Sequence, residues 1–304
     1  MSTTPQLVNA WIFLNEDEPV VDGQPVGYDD PQSCYQRLIT QNVYRAVDIL
    51  FICFATTVPT SSSTIPTGNG DFYTLQMGAA SDPMHPGGLT NQDYMDYVIR
   101  DARANNPEIK IAMTLVWGDG DTLSNIFKNP NYTPEENAEN FASNLLAYLK
   151  NYELDGFDID WESPISDDTP QEQFKLLFTA IGTLLRSQDK KYYLSLSPAE
   201  VGNLDPDTVN ANFDFVALQL YSGFTDPQDF INAGVNPGLL AYGAKFEADG
   251  PSQPDGQGHQ TAQDAYQQAQ QLGYTTYTQW RLNSQNYVFE QDQQVELFKL
   301  VFAP

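Results

Sequence analysis

Residues 154–164 read LDGFDIDWESP and place four acids, Asp155, Asp158, Asp160 and Glu162, in a stretch whose other residues suit a buried strand. Leu154, Phe157, Ile159 and Trp161 fit a strand packed on both faces, so acids among them need a reason. Side chains alternate along a strand. Asp158, Asp160 and Glu162 therefore share one side, and Phe157, Ile159 and Trp161 share the other, with Asp155 on the apolar side at the strand's start. Same-side α-carbons lie about 6.5 to 7 Å apart, which lets three carboxyl groups form a hydrogen-bonded chain. Three such groups cannot all ionise cheaply. Like charges held close in a partly dry site raise a pKa, so that one carboxylic acid stays protonated near neutral pH and serves as a proton donor. The competing reading is an ion-binding or surface acid cluster. Hard-cation sites gather their ligands from loops, however, and no His-rich or Cys-rich spacing supports a transition metal, so no metal is expected. His85 and His259 fall in loops and are read as solvated.

These acids need a scaffold, and the rest of the chain supplies its pattern. Apolar runs of strand character recur at 7–15, 47–55, 110–117, 154–162, 191–198, 213–221, 239–246 and 274–282. Helical patterns lie between most of them. Thr133-Pro134-Glu135-Glu136 and Thr169-Pro170-Gln171-Glu172 both read as capping boxes with Pro at the first helical position. Apolar stripes follow each, through Phe141, Leu145, Tyr148 and Leu149 and through Phe174, Leu177, Phe178, Ile181 and Leu185. Further helices are expected at 90–104, at 260–273 ending on Gly273, and at 291–302. Strand and helix alternating eight times predict an α/β fold, a single (β/α)8 TIM barrel over residues 1–304 without a large inserted domain. An open doubly wound sheet is the alternative, but the first strand is followed by no Gly-rich phosphate loop. The short connections 198–213 and 222–238 predict two stunted helices. Two insertions, 56–89 and 247–260, each follow a strand and so overhang the C-terminal face, where active sites of this fold lie.

Composition narrows the partner. With 14 Lys+Arg against 40 Asp+Glu, the net charge of −26 argues against nucleic acid, an anionic membrane or a phosphorylated substrate. A neutral or cationic partner fits better. Of the two cysteines, Cys53 sits in an apolar run and is expected as a buried free thiol rather than bonded to Cys34. The N-terminus lacks the features of an ordinary signal peptide, which leaves a processed secreted form or a cytoplasmic one open, and no run of about 18 apolar residues predicts a membrane span.

The segment DGFDIDWE (155–162) resembles the D-G-x-D-x-D-x-E signature of glycoside hydrolase family 18, which includes chitinases, endo-β-N-acetylglucosaminidases and non-catalytic chitin-binding lectins. LQLYSG (218–223) is similar to the family's strand-six segment, keeping Tyr221 and carrying Gln219 as single-domain members do. TLVW (114–117) stands where many members have S-x-G-G, with a hydroxyl kept at Thr114. The resemblance implies retaining hydrolysis in which the substrate's own 2-acetamido group is the nucleophile, with no metal or organic cofactor. On that reading Glu162 is the acid and then the base, Asp160 orients the acetamido group, and Asp158 shares a proton with Asp160. Tyr221 bonds the acetamido oxygen and Gln219 supports that contact. Trp280 floors the catalytic sugar subsite, and Trp117, Phe54 and Tyr242 are candidate sugar-stacking faces. Trp11 and Trp161 are read as core residues, Trp161 packing outward.

The implied substrate is an N-acetylglucosamine-containing oligo- or polysaccharide, chitin or its oligomers first. Cleavage of the chitobiose core of N-glycans is the second enzymatic reading. A lectin on the same barrel is the third, set against by Glu162, since lectins of the family generally lack the proton donor. The excess of acids would favour partly deacetylated, cationic chitin through attraction that salt screens within about 8 to 10 Å.

Overall fold

The structure, a computed structural model, describes residues 6–16, 19–63, 72–78, 85–118, 121–246 and 260–302. Eight strands form its centre: β1 (Leu7–Phe13), β2 (Ile49–Pro59), β3 (Lys110–Leu115), β4 (Gly156–Trp161), β5 (Tyr193–Pro198), β6 (Phe215–Leu218), β7 (Leu240–Lys245) and β8 (Thr276–Trp280). Each pairs in parallel with its chain neighbour. The sheet closes where Leu7 of β1 lies opposite Thr276 of β8. Closure leaves no free edge among these strands, and each crossover is supplied by a helix. The helices are α1 (Cys34–Thr40), α2 (Asn91–Asn105), α3 (Pro134–Asn151), α4 (Gln171–Arg186), α5 (Pro206–Asn212), α6 (Pro227–Ala233), α7 (Ala262–Leu272) and α8 (Tyr287–Phe302), each after the strand of its own number. This is the expected (β/α)8 barrel, with no large second domain among the described residues. The two helices expected to be stunted are α5 and α6, at 7 residues each, and α1 is equally short.

Strand alternation divides the apolar residues into two layers. Inside the barrel Trp11, Ile49, Phe51, Ala112, Phe215 and Ala217 pack together, with the Trp11 and Phe51 rings stacked at 4.5 Å. The larger layer lies between barrel and helices. There Trp161 points outward and meets Phe174 of α4 edge to face at 5.0 Å, its indole N–H donating to the Val201 carbonyl at 3.0 Å. Burying an aromatic side chain of this kind contributes about 2 to 3 kcal/mol, so β4 is held by its outer face while its inner face carries the acids. Cys34 and Cys53 are both buried, and no disulfide joins them.

The first insertion is partly seen. Beyond the barrel β2 runs on to Pro59, and Tyr73–Met77 returns antiparallel to it with Ala55 opposite Met77. Residues 64–71 and 79–84, nearly all of the second insertion (247–259) and with it His259, lie outside the described residues.

Several local expectations need correction. His85 is buried rather than solvated: its ring stacks on Tyr94 at 3.5 Å, and Nε2 lies 2.8 Å from the Asn91 side-chain oxygen. An apolar tyrosine face and an amide partner make burial of a neutral imidazole cheap. The sixth strand ends at Leu218 instead of 221, where Gln219 leaves strand geometry. The last helix begins at Tyr287, four residues early.

The capping boxes divide. Thr133 accepts from the Glu136 N–H while Glu136 bonds the Thr133 N–H at 2.8 Å, as expected. Thr169 makes no such box, because its buried backbone finishes the short turn Ile165–Asp168 by donating to the Ile165 carbonyl, and its hydroxyl has no partner among the described residues. Thr133→Ala should therefore cost about 1 kcal/mol in urea unfolding. Thr169→Val, which keeps the shape and removes a buried hydroxyl, should be neutral or stabilising.

Candidate active site

The parallel register of β3, β4 and β5 sets the site. Thr114 lies opposite Asp158 on one side, Ser195 lies opposite it on the other, and Ser197 lies opposite Asp160. All five project into the barrel. Asp158 is fully buried and receives three hydroxyls: Ser195 Oγ donates to Oδ1 at 2.6 Å, Thr114 Oγ1 donates to Oδ2 at 3.1 Å, and Ser197 Oγ lies 3.0 Å from both oxygens. The Trp11 indole N–H donates to Thr114 Oγ1 at 3.0 Å, which leaves the threonine's own hydrogen for Asp158. Burial pushes the Asp158 carboxyl up to about 6, and the hydroxyl donors oppose it.

Asp160 is buried one step nearer the C-terminal rim. Burial first, then the charge of Glu162 and a hydrogen bond to it, then the charge of Asp158, hold its carboxyl well above the usual range, with Gln219 pulling the other way. Raised in this way, the Asp160 carboxyl favours its protonated form beside Glu162. The Gln219 side-chain amide ties the two acids together. Its Nε2 donates to Asp160 Oδ1 at 2.9 Å and to Glu162 Oε1 at 2.7 Å, and lies 3.1 Å from the Ser197 carbonyl. Glu162 is half-buried and faces a cleft of about 260 Å³, which Asp160, Ser197, Gln219 and Tyr221 line on the same side.

The opposite wall is aromatic. Phe54 lies 5.4 Å from Phe13 and 5.9 Å from Trp280, which is itself 6.0 Å from Phe13. Behind them the Arg281 guanidinium, ion-paired with Glu16, sits 5.4 Å from the Phe13 ring and 5.6 Å from that of Trp280. Such a wall suits the C–H face of a pyranose ring, while the facing carboxyls suit its polar edge. Trp117 stands on the rim with 42% of its surface exposed.

Of the residues expected at the site, Asp158, Asp160, Glu162, Gln219, Tyr221, Trp280, Trp117 and Phe54 come together here. Tyr242 does not. It is buried outside the barrel, its hydroxyl donating to Gln268 of α7 and accepting from Gln260, both at 2.6 Å. Alternation is the reason, since Gly243 is the β7 residue that faces the cleft. Asp155 lies at the other end of the barrel, paired with Lys190 at 2.9 Å and accepting from the Ile111 N–H at 3.0 Å. Sequence reasoning missed Phe13, Ser195, Ser197, Gly243 and Thr278, and placed Trp11 in the core without noticing that it also lines the cleft floor. The two-residue alternation Asn9-Trp11-Phe13 and Ser195-Ser197 carried that signal. Among the described residues, no group of three or more His, Cys, Asp or Glu is placed to hold a metal ion, and no helix is long and apolar enough to cross a membrane.

Comparison with known proteins follows the same lines. Residues 24–296 match the family model described as glycosyl hydrolases family 18. A class V chitinase mutant from Nicotiana tobaccum, solved in complex with NAG4, superposes with a TM-score of 0.64 at 14% identity, covering 98% of this chain and 100% of that one. A class V chitinase mutant from Cycas revoluta, in complex with (GlcNAc)3, gives 0.62 at 14% identity over 96% and 99% of the two chains. A chitinase-like agglutinin from Robinia pseudoacacia gives 0.62 at 14% over 97% and 99%. At that identity the three share the fold.

The buried acid has a thermodynamic signature. Between the ordinary carboxylate range and about 6, the folded chain holds the Asp158 proton while the unfolded chain has released it, so wild-type stability falls as pH rises through that window. Relative to wild type, Asp158→Asn should gain up to about 3 kcal/mol between pH 4 and 6.5 and nothing further above it, read from urea unfolding at stepped pH. A difference independent of pH would show that Asp158 ionises normally.

Proposed function

The chain belongs to glycosyl hydrolases family 18, and from that premise we propose that residues 1–304 act as one catalytic unit performing retaining, substrate-assisted hydrolysis of β-1,4 linkages between N-acetylglucosamine units. Chitin and chitooligosaccharides are the proposed substrates. The observation that carries this reading is the Gln219 amide holding a buried Asp160, its carboxyl pushed well above the usual range, against Glu162 at the edge of an aromatic-walled cleft.

A sugar stacked on Trp280 presents its glycosidic oxygen to Glu162. The Asp160 proton passes to Glu162 and from there to the leaving oxygen, which supplies general acid catalysis without a free hydronium ion. As the bond breaks, the substrate's acetamido oxygen closes on the anomeric carbon to form an oxazolinium ion. Asp160, now ionised and backed by Asp158, accepts from the acetamido N–H and stabilises the positive charge. Tyr221 donates to the acetamido oxygen and holds it in line for attack. Glu162 then takes a proton from water as it opens the ring from the face the leaving group vacated. Two inversions give retention, and the two-carboxylate nucleophile scheme is replaced by substrate assistance, an exception already recognised for this family.

The fold is shared with a protein named as an agglutinin, so hydrolysis has to be tested directly. The protein incubated with a chitin hexamer should yield shorter oligomers by mass spectrometry. Release of glycan from a high-mannose glycopeptide with one N-acetylglucosamine left behind would instead establish the N-glycan enzyme, and binding without products would establish a lectin. Glu162→Gln should lower turnover by about 10² to 10⁴-fold while leaving oligosaccharide affinity within a few fold. A thiazoline analogue of the cyclised intermediate should inhibit at about micromolar concentration, and indifference at millimolar would remove substrate assistance.

A further inference from the structure

Gly243 has an inward-facing position on β7 and lines the cleft, yet offers it no side chain. Its φ is not positive, so glycine is not kept there for backbone conformation. Space is the reason. A Cβ on Gly243 would lie 2.1 Å from the Leu218 carbonyl oxygen, 3.1 Å from the Leu218 carbonyl carbon and 3.6 Å from the Gln219 α-carbon. The first of these is a clash with backbone, which no rotamer change relieves.

The clash falls where β6 stops being a strand. Tyr242 and Leu218 are the last residues of β7 and β6 in register, after which Gln219 turns away with φ −78° and ψ 60°, and Leu220–Ser222 form a single 3-10 turn. That turn places both cleft groups of this segment: Gln219 between Asp160 and Glu162, and Tyr221 on the wall. The Leu218 carbonyl crosses over Gly243 to make it.

We infer that Gly243 is a positioning residue: the methyl-sized space it leaves lets the chain exit β6 at the angle that sets the Gln219 amide across the two carboxyls and Tyr221 into the cleft. A methyl group there would displace the Leu218–Gln219 peptide by roughly 1 Å to reach van der Waals distance. Displacement on that scale at a group aligning reacting atoms costs about 10²-fold in rate. The inference rests on the hydrolytic reading above. It adds a residue that acts through the Leu218–Gln219 peptide rather than through a side chain of its own.

The test compares wild type, Gly243→Ala, Gln219→Leu and the double variant in steady-state hydrolysis of a chitin hexamer across pH. Gly243→Ala should lower kcat about 10²-fold with KM changed less than about threefold. Because Gln219 favours the ionised form of Asp160, both single variants should move the acid limb of the kcat profile to higher pH. Asp158 and Cys53 also interact with Asp160 electrostatically and Tyr221 lines the same side of the cleft, and none of the three is altered. The double variant should be no slower than the slower single one, since both remove one alignment. Unchanged kcat in Gly243→Ala, an unmoved limb, or losses that multiply would overturn the inference. Should Gly243→Ala not fold, Gln219→Leu decides: the same loss and shift support an aligned amide as what the space serves, and a wild-type profile overturns it. A wild type that cuts no hexamer would defeat the hydrolytic reading instead.

Discussion

The cleft depends on one buried carboxyl. Asp158 sits where a charge is expensive, and the expense is offset by three hydroxyls that reach it from the strands on either side. Each hydroxyl is there because parallel pairing puts it there: Thr114 and Ser195 are the register partners of Asp158, and Ser197 is one inward step further along β5. A slip of one residue in either pairing would turn those hydroxyls out toward the helices and leave the acid unsatisfied. The barrel's register and the site's chemistry are thus one constraint, which Trp161 and Phe174 enforce from the outer face.

From Asp158 outward the acids differ by environment. Asp158 has hydroxyl donors that favour ionisation, Asp160 has carboxyls on both sides that hold it well above the usual range, and Glu162 reaches the cleft. One strand face therefore carries a gradient of environment built from burial and neighbours alone. Gln219 keeps the gradient from collapsing into a single shared hydrogen bond, because its amide occupies one oxygen of each of the outer two acids. A neutral donor suits that place, where a cation would pull the Asp160 proton off.

Much of this was legible in the sequence, for reasons of period. Eight strand-like runs and the two-residue alternation of DGFDIDWE define the barrel and the shared side of its acids, since closed parallel sheets tolerate little else. The same rule, applied to the other strands, would have found Ser195, Ser197 and Phe13, and would have set Tyr242 outside. What alternation cannot supply is where a strand ends: Gln219 and Tyr221 share the inward parity of Phe215 and Ala217, but β6 breaks early, and the angle at which they enter the cleft depends on the absence of a side chain in another strand. His85 was misplaced for a related reason. A loop residue's burial is decided by what the loop packs it against, here Tyr94 on the α2 that follows, and composition of the loop does not announce it.

The two short helices have a further consequence. Around β5, β6 and β7 the outer layer is α5 and α6, two turns apiece, and β5 and β6 are joined through the register pairs Ser195–Phe215 and Leu196–Val216. Fewer backbone bonds and less covering surface make this arc the section of wall where local opening costs least, and where amide hydrogens exchange soonest. The segment carrying Gln219 and Tyr221 hangs from that arc, while the acids themselves hang from β4 under the long α3 and α4. On gentle heating the molecule would lose the cleft wall formed by Gln219 and Tyr221 before it lost its acids or its barrel, so that inactivation would precede unfolding.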